Sequence, residues 1–412
     1  MLRRILEVVF GLAAVVAITL AATRLTPVPL PRITEVEPPR DQRIVCLTPG
    51  SGTLYAQGDE ALAVSMLDEE ASERGTTVVE EVRDHPLTLR GVQPAGGVMS
   101  TAGASGFIGC QPPASSGIVQ VADAELSELR IVNPDATDAA VNLTLYGPDG
   151  EVLALGARGI VVAPHGSRTI ALSVLAERDG PFGVAFDTSR GRVALMAVVT
   201  GGATTIPHQP AERHLIPGVA QGTPAQLVLS NPSTERAAAE VYVLGANARF
   251  QPSGGAGVSI PAGGSVLVDL SDGIAGEAAA IEVAADQAIG ATVFGGTAGA
   301  MNPAEAGLSL RAFGPSGGSI QLSNPGENDV TATVAVTSTE DFPTETEVVV
   351  PAGTTVVHPL PGDDNVVVEV TSPTPVFGAL TYAQNNSAAI PLNAAPEEES
   401  EALTAELVPT LR

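Results

Sequence analysis

The 412 residues carry 46 acidic side chains against 20 basic ones, every basic one an Arg, and the formal charge of −26 argues against nucleic acid or an anionic lipid surface as partner of the soluble part. Hydrophobic residues make up 44% of the chain but come mostly from Ala and Val, with 3% aromatic residues and no Trp, so each core must be built from small and β-branched side chains. Such a length suits three or four domains of about 100 residues rather than one large core, and the Ala, Gly, Val, Pro and Arg bias without Lys is the mark of a GC-rich coding sequence.

Residues 5–22 form an apolar run behind Arg3 and Arg4 whose only charged member is Glu7. As a helix the run would span about 27 Å, close to the roughly 30 Å of a bilayer's hydrocarbon core, so residues 1–24 read as a signal anchor or transmembrane helix. Thr19 and Ala21 also offer a small-x-small cleavage site, which keeps a removed signal peptide open. The positive-inside rule favours a cytoplasmic N-terminus with the bulk of the chain outside, in a single-pass protein of the cell membrane, or in a secreted one if the signal is cleaved. Arg24, Arg32 and Arg40 weigh against that orientation. Residues 25–42 hold five prolines and read as a stiff extended spacer.

Cys46 and Cys110 are the only cysteines, which in an exported chain most simply means one disulfide, worth about 4 kcal/mol for a loop of that size. Ile44, Cys46 and Pro49 echo a Leu-x-Ile-x-Asn-Pro spacing found later in the chain, with Thr48 in the Asn place. Residues 43–125 are therefore expected to form a diverged β-sandwich whose disulfide joins facing strands. Within it, residues 59–74 predict a helix with Leu62, Met66 and Leu67 on one face.

From about residue 125 the chain predicts three versions of one domain, at 126–215, 216–300 and 301–395. The motif LRIVNP at 129–134 returns as LVLSNP ending at Pro232 and IQLSNP ending at Pro325. Apolar residues lie four and two before each Asn (Leu129 and Ile131, Leu227 and Leu229, Ile320 and Leu322), and eight, ten and twelve after it (Val141, Leu143, Leu145; Ala239, Val241, Val243; Ala332, Val334, Val336). Period two means strands. The pairs Asn133-Pro134, Asn231-Pro232 and Asn324-Pro325 end the first strand, since Pro lacks a ladder donor and Asn bonds turn backbone. Pro-x-Gly turns follow at 164–166, 261–263 and 351–353, where Gly166, Gly263 and Gly353 would supply a positive φ. A further strand contains Ile170, Leu267 or Val357, and a hairpin is expected with Val184 and Phe186 against Val193, Ile281 and Val283 against Ile289, and Val368 and Val370 against Val376. About seven strands in about 95 residues predict an all-β chain of tandem immunoglobulin-like or fibronectin-like sandwiches after one N-terminal transmembrane helix. Residues 396–412, which include Glu397, Glu398 and Glu399, read as a disordered acidic tail.

Candidate chemistry is sparse. Residues 314–318 match the Gly-x-Ser-x-Gly pattern of a nucleophile elbow around Ser316, but a strand follows where a helix is required, so a linker is the expectation and a serine hydrolase a weak third function. His208 and His214 flank Glu212 without helical spacing or further ligands and read as an interdomain loop rather than a metal site. His85, His165 and His358 stand alone. Acidic groups at 68–70, at Glu80 and Glu81, and at Asp363 and Asp364 lack a calcium-loop pattern and read as solvated surface. Asn142 and Asn385 head glycosylation triplets, which matter only in a host that uses them. Catalytic residues, cofactor and metal are therefore expected to be none.

The N-terminal anchor, the Pro-rich spacer, Cys46 with Cys110, the motif at 129–134 and the Pro-Ala-Gly turns together resemble an actinobacterial family of secreted or membrane-anchored proteins of unknown function. The resemblance implies an envelope location and an extracytoplasmic β-sandwich array, and carries over no catalytic residue. The expected function is a non-enzymatic, membrane-anchored scaffold or binding protein of the bacterial cell envelope, partnered by the cytoplasmic membrane and by an envelope protein or polysaccharide. Binding of cell-wall polysaccharide by the array is the alternative, with Tyr55, Tyr146, Tyr242, Tyr382 and nine Phe as the available sugar platforms.

Overall fold

The computed structural model describes residues 41–394 except 49, 84, 101–105, 177–178, 200–202, 223, 275, 296–298, 339–342, 361–363 and 383–387. The expected anchor at 1–24, the spacer up to residue 40 and the tail at 396–412 lie outside the described residues; Asp41 and Gln42, expected in the spacer, belong to the strand Asp41–Cys46. Among the described residues the fold is nearly all strand, with two four-residue helices at Leu172–Leu175 and Ser271–Ile274. No described helix is long and apolar enough to cross a membrane.

The first region holds two four-stranded sheets. One runs Asp41–Cys46, Leu87–Val92, Ala63–Met66, Ser72–Glu73, and the other Thr77–Arg83, Ser51–Gln57, Ala95–Ser100, Phe107–Gly109. Leu54, Ala56, Leu62, Val64, Leu89 and Val98 fill the space between them. The helix expected at 59–74 is absent. Leu62 and Val64 are buried while Ala63 and Ser65 are only half-buried, a period of two, and Ala63–Met66 pairs with Leu87–Val92, sealed by a 2.7 Å hydroxyl bond between Ser65 and Thr88. Partner strands on both sides override the local helical spacing of Leu62, Met66 and Leu67, and Leu67 turns instead toward Val45, Val132 and Met196. Cys46 ends the first strand of one sheet and Cys110 follows the edge strand of the other; they are disulfide-bonded with Cα atoms 4.2 Å apart.

Three segments follow, each with two sheets around its own core. In segment one, Gly150–Val152, Ala139–Gly147, Phe182–Arg190 and Ser116–Val121 form one sheet, and Ser167–Ala171, Ser127–Val132, Ala194–Val199 and Thr204–Thr205 the other. Segment two places Arg249–Phe250, Ala237–Leu244, Ala279–Phe294 and Ala211–Val219 in the same order, facing Ser265–Asp269, Gln226–Ser230 and the far end of Ala279–Phe294. Segment three repeats the plan with Thr344–Val350, Val330–Ser338, Val366–Tyr382 and Gly307–Gly314, facing Thr354–Pro359, Ser319–Asn324 and the far end of Val366–Tyr382. The apolar positions counted from each Asn, from Leu129 to Val336, all point inward and are buried.

The expected closing hairpins do not form. Phe182–Arg190 and Ala194–Val199 lie in different sheets, and in the other two segments the corresponding residues are one strand of 16 or 17 residues that crosses from sheet to sheet. The reason is a filled ladder. Residues 279–285 already have neighbours on both sides in Ala237–Leu244 and Ala211–Val219, so Gly290 to Phe294 pair with Gln226–Ser230 opposite.

Contacts close the four parts into a circuit. Arg43 reaches the Pro134 carbonyl and Asp135 at 3.0 Å, joining the first region to segment one. Ser265 Oγ donates to the Tyr146 carbonyl at 2.8 Å between segments one and two, and the Thr355 amide donates to the Gly245 carbonyl at 3.0 Å between two and three. Segment three returns to the first region: Arg311 meets Asp59 and the Gln93 carbonyl, Tyr55 stands edge-on to Phe313 at 5.9 Å, and Phe107 enters the core of segment three. Phe107, Ile206, Pro217, Met301 and Ala389, drawn from all four parts, line a central cavity of about 60 Å³.

Candidate functional site

A concavity of about 740 Å³ lined by side chains of opposite charge lies where segments two and three meet. One wall is the strand Ala211–Val219, through Arg213, His214 and Leu215; the other is the loop after Asn324, through Pro325, Glu327 and Asp329, with Phe377 beside it. At its floor Glu282 is almost fully buried and held by two guanidinium groups, Arg213 at 3.2 Å and Arg249 at 2.8 Å. Arg249 also lies 3.6 Å above the Tyr242 ring, and Tyr242 is the cross-strand partner of Glu282. A carboxylate taken from water needs this pairing. Because Arg213 is 76% exposed, the same cluster presents a positive head group beside the acidic rim of Glu305, Glu327 and Asp329. Such a cleft offers charge recognition and backbone edges to a polar or peptide ligand.

His208 and His214, expected in an interdomain loop, are structural instead. His214 lies on a strand and pairs with Val283, while His208 bridges to Ile118 of segment one. Their rings are perpendicular with centroids 5.4 Å apart. Burial, reinforced by the neighbouring His214, pushes the His208 pKa down to about 3; burial also lowers that of His214, against the opposing hydrogen bond from its Nε2 to the Ile289 carbonyl at 2.7 Å. The Ala291 amide donates to His208 Nε2 at 3.1 Å, so the ring proton sits on Nδ1. Among the described residues no group of three or more His, Cys, Asp or Glu side chains gathers at metal-binding distance.

The three Asn-Pro turns share one hydrogen-bond plan. Asn133 accepts from the Asp135 amide and donates to the carbonyls of Thr137 at 2.7 Å and Val162 and Ala163 at 3.1 Å. Asn231 does the same with Ser233, Glu235 and Pro261, and Asn324 with Gly326, Asn328 and Val350. Each Asn is buried and ties the end of its strand to the approach of the turn some 30 residues later. Of the expected positive-φ glycines, Gly263 (φ 59°) and Gly353 (φ 68°) adopt that conformation, but Gly166 does not; His165, at φ 48°, takes the place in segment one. The Asn133 amide bonds the Gly166 carbonyl where the Asn231 amide bonds the Gly264 carbonyl, so the first turn is offset by one residue from its sequence alignment.

Ser316 sits in the connection between Gly307–Gly314 and Ser319–Asn324, strand to strand, beside Pro315, whose carbonyl accepts the Tyr382 hydroxyl at 2.8 Å. All four tyrosines are engaged within the fold: Tyr55 against Phe313, Tyr242 under Arg249, Tyr146 and Tyr382 buried, and burial with Tyr55 nearby pushes the Tyr382 phenol above its ordinary range. Asn142 bonds Asp187 and the Gly159 amide; Asp363 and Asn385 lie outside the described residues, and residues 68–70 are exposed. The Arg213, Glu282 and Arg249 cluster went unnoticed in the sequence because Glu282 occupies the outward-facing place between Ile281 and Val283, where a carboxylate ordinarily meets water. No curated protein and no solved structure matches this chain. Residues 94–361, about two thirds of the sequence, match a family of unknown function, DUF5719, and the chain belongs to that family.

Proposed function

We propose that the chain is a non-enzymatic, membrane-anchored scaffold or binding protein of a bacterial cell envelope, with tandem immunoglobulin-like sandwiches held outside the cytoplasm and an actinobacterial source. The observation that carries the binding role is the cleft of about 740 Å³ between segments two and three, floored by a doubly paired carboxylate and open to solvent. The apolar run at 5–22 and the disulfide support export and anchoring. The ligand in this reading is an envelope protein or polymer bearing both charges or a free backbone edge.

A photo-crosslinking residue in place of Glu327, in cells producing the full chain, tests this. Adducts with one envelope component are expected there and not from the same residue placed at Glu347, on an exposed strand face away from the cleft. Equal, unselective labelling at both positions overturns the cleft as the binding site.

A further inference from the structure

Segments one and two build the same loop from different side chains. Their backbones superimpose in bonding: Leu145 pairs with Val152 as Val243 pairs with Phe250, the Leu143 amide bonds the Ala157 carbonyl as the Val241 amide bonds the Gly255 carbonyl, and the positive-φ glycines Gly156 and Gly159 match Gly254 and Gly257. Counting along this match sets Leu153 against Gln251, Leu155 against Ser253 and, in the short helix that follows, Val174 against Asp272. The loop therefore closes with polar residues at these places. Yet Leu153, Leu155 and Val174 are 94%, 97% and 78% exposed. Folding does not account for them, because leucine at a loop tip gains nothing from burial it does not have.

Charge separates this flank from the rest of the chain. Residues 152–175 contain no Asp or Glu, in a protein with 46, and carry Arg158, His165 and Arg168; the matching residues of segment two include Asp269 and Asp272. Arg158 approaches Asp187 only at 4.0 Å, with both side chains more than half exposed, and Arg168, Ile170 and Val174 line one shallow hollow of about 310 Å³ with Gly156, next to Leu155. The overall charge of −26 argues against an anionic surface, but at contact the field is set within a Debye length of about 10 Å, and here Arg158, His165 and Arg168 stand among the exposed apolar side chains, with Asp187 and Glu151 as the acidic neighbours at the edge. Protruding leucines with arginine on the same flank suit the boundary of headgroups and acyl chains.

Resting on the membrane-anchored reading above, we infer that this flank of segment one is a lipid-contacting surface that seats the extracytoplasmic part on an anionic bilayer. The chain outside the described residues permits it. Residues 25–40, as an extended Pro-rich spacer of 16 residues, could span no more than about 50 Å, and the spacer ends at the strand Asp41–Cys46, whose Arg43 bonds segment one.

The test uses the full chain, whose only two cysteines are paired, carrying one added cysteine labelled with an environment-sensitive fluorophore, at Leu155→Cys or, for comparison, Ser253→Cys. Each protein is reconstituted into vesicles of phosphatidylcholine with phosphatidylglycerol and a lipid-borne quencher, and vesicle flotation is measured in parallel. The expected result is flotation of both, with several-fold stronger quenching at position 155 than at 253, reduced in vesicles of phosphatidylcholine alone. Flotation with equal quenching at the two positions overturns the lipid surface while leaving the anchor intact. A label at 155 that is shielded from water yet untouched by the lipid quencher also overturns it, in favour of a protein or a second copy. Failure to float overturns the anchor and this inference together.

Discussion

The first region and the three segments face the same mechanical problem, fastening the end of a strand to the opposite side of a two-sheet core, and solve it differently. In the segments a buried Asn amide reaches across to the carbonyls of Ala163, Pro261 or Val350. In the first region Thr48 stands in the Asn place and reproduces only the local half of that pattern, accepting from the Gly50 amide at 3.3 Å as Asn133 accepts from Asp135. The long-range half is supplied two residues earlier by the Cys46 to Cys110 bond. Among the described residues the first region's core cluster holds eleven buried side chains against twenty in segment one, so less apolar burial is available there to offset chain entropy. A covalent tie goes where the core is thin.

Breaking that tie should therefore have the largest effect. With the cysteines 64 positions apart in the sequence, Cys46→Ala with Cys110→Ala is expected to lose about 4 kcal/mol, read as the difference in urea unfolding between the variant and the oxidised chain. A loss under about 1 kcal/mol would mean that the contacts with segments one and three hold the first region unaided.

The second effect belongs to a junction. The first region meets segment one through the Arg43 and Asp135 pair, whereas segment one meets segment two through neutral buried histidines. Both histidines have pKa values lowered by folding, that of His208 to about 3, so their contribution to stability is complete above the unfolded value of about 6.5 and is lost as pH falls toward 3. Between pH 6.5 and 4 the cost from His208 is on the order of 3 kcal/mol. Unfolding followed by circular dichroism should show His208→Gln with a flatter slope over that range than the unaltered chain. Identical slopes would place the acid sensitivity in carboxylates instead.

Third, Asn231→Asp keeps the acceptor for the Ser233 amide but removes the donors to Glu235 and Pro261, and should cost about 2 to 3 kcal/mol. Thr48→Ala loses only a local bond and should cost about 1 kcal/mol. Equal costs for the two in denaturant titrations would erase the distinction between the fastenings.

Much of this fold was legible as periodicity. Every apolar place counted from Asn133, Asn231 and Asn324 is a core place, since alternation is a local property of a strand. Partners are not local. The helix expected around Leu62 gave way to pairing with Leu87–Val92, and the hairpin expected between Val283 and Ile289 became one strand because its ladder neighbours, far off in sequence, were already set. The cleft was illegible for the same reason: Arg213, Glu282 and Glu327 come from three separate stretches, and no spacing links them.

His165 shows the limit at the scale of one residue, and gives the smallest effect. Aligning Pro164 with Pro261 and Pro351 sets His165 against Ala262 and Ala352, but the hydrogen bonds set it against Gly263 and Gly353, in the left-handed region. A side chain there carries strain of about 1 kcal/mol or somewhat more, and glycine relieves it while adding about 0.5 to 1 kcal/mol of chain entropy to the unfolded state. His165→Gly should thus stabilise segment one slightly, by less than about 1 kcal/mol, whereas Gly166→Ala, whose new Cβ would press on the Ala163 carbonyl oxygen at 3.0 Å, should not. If instead His165→Gly destabilises and Gly263→Ala is tolerated, the offset is wrong and the sequence alignment of the turns stands.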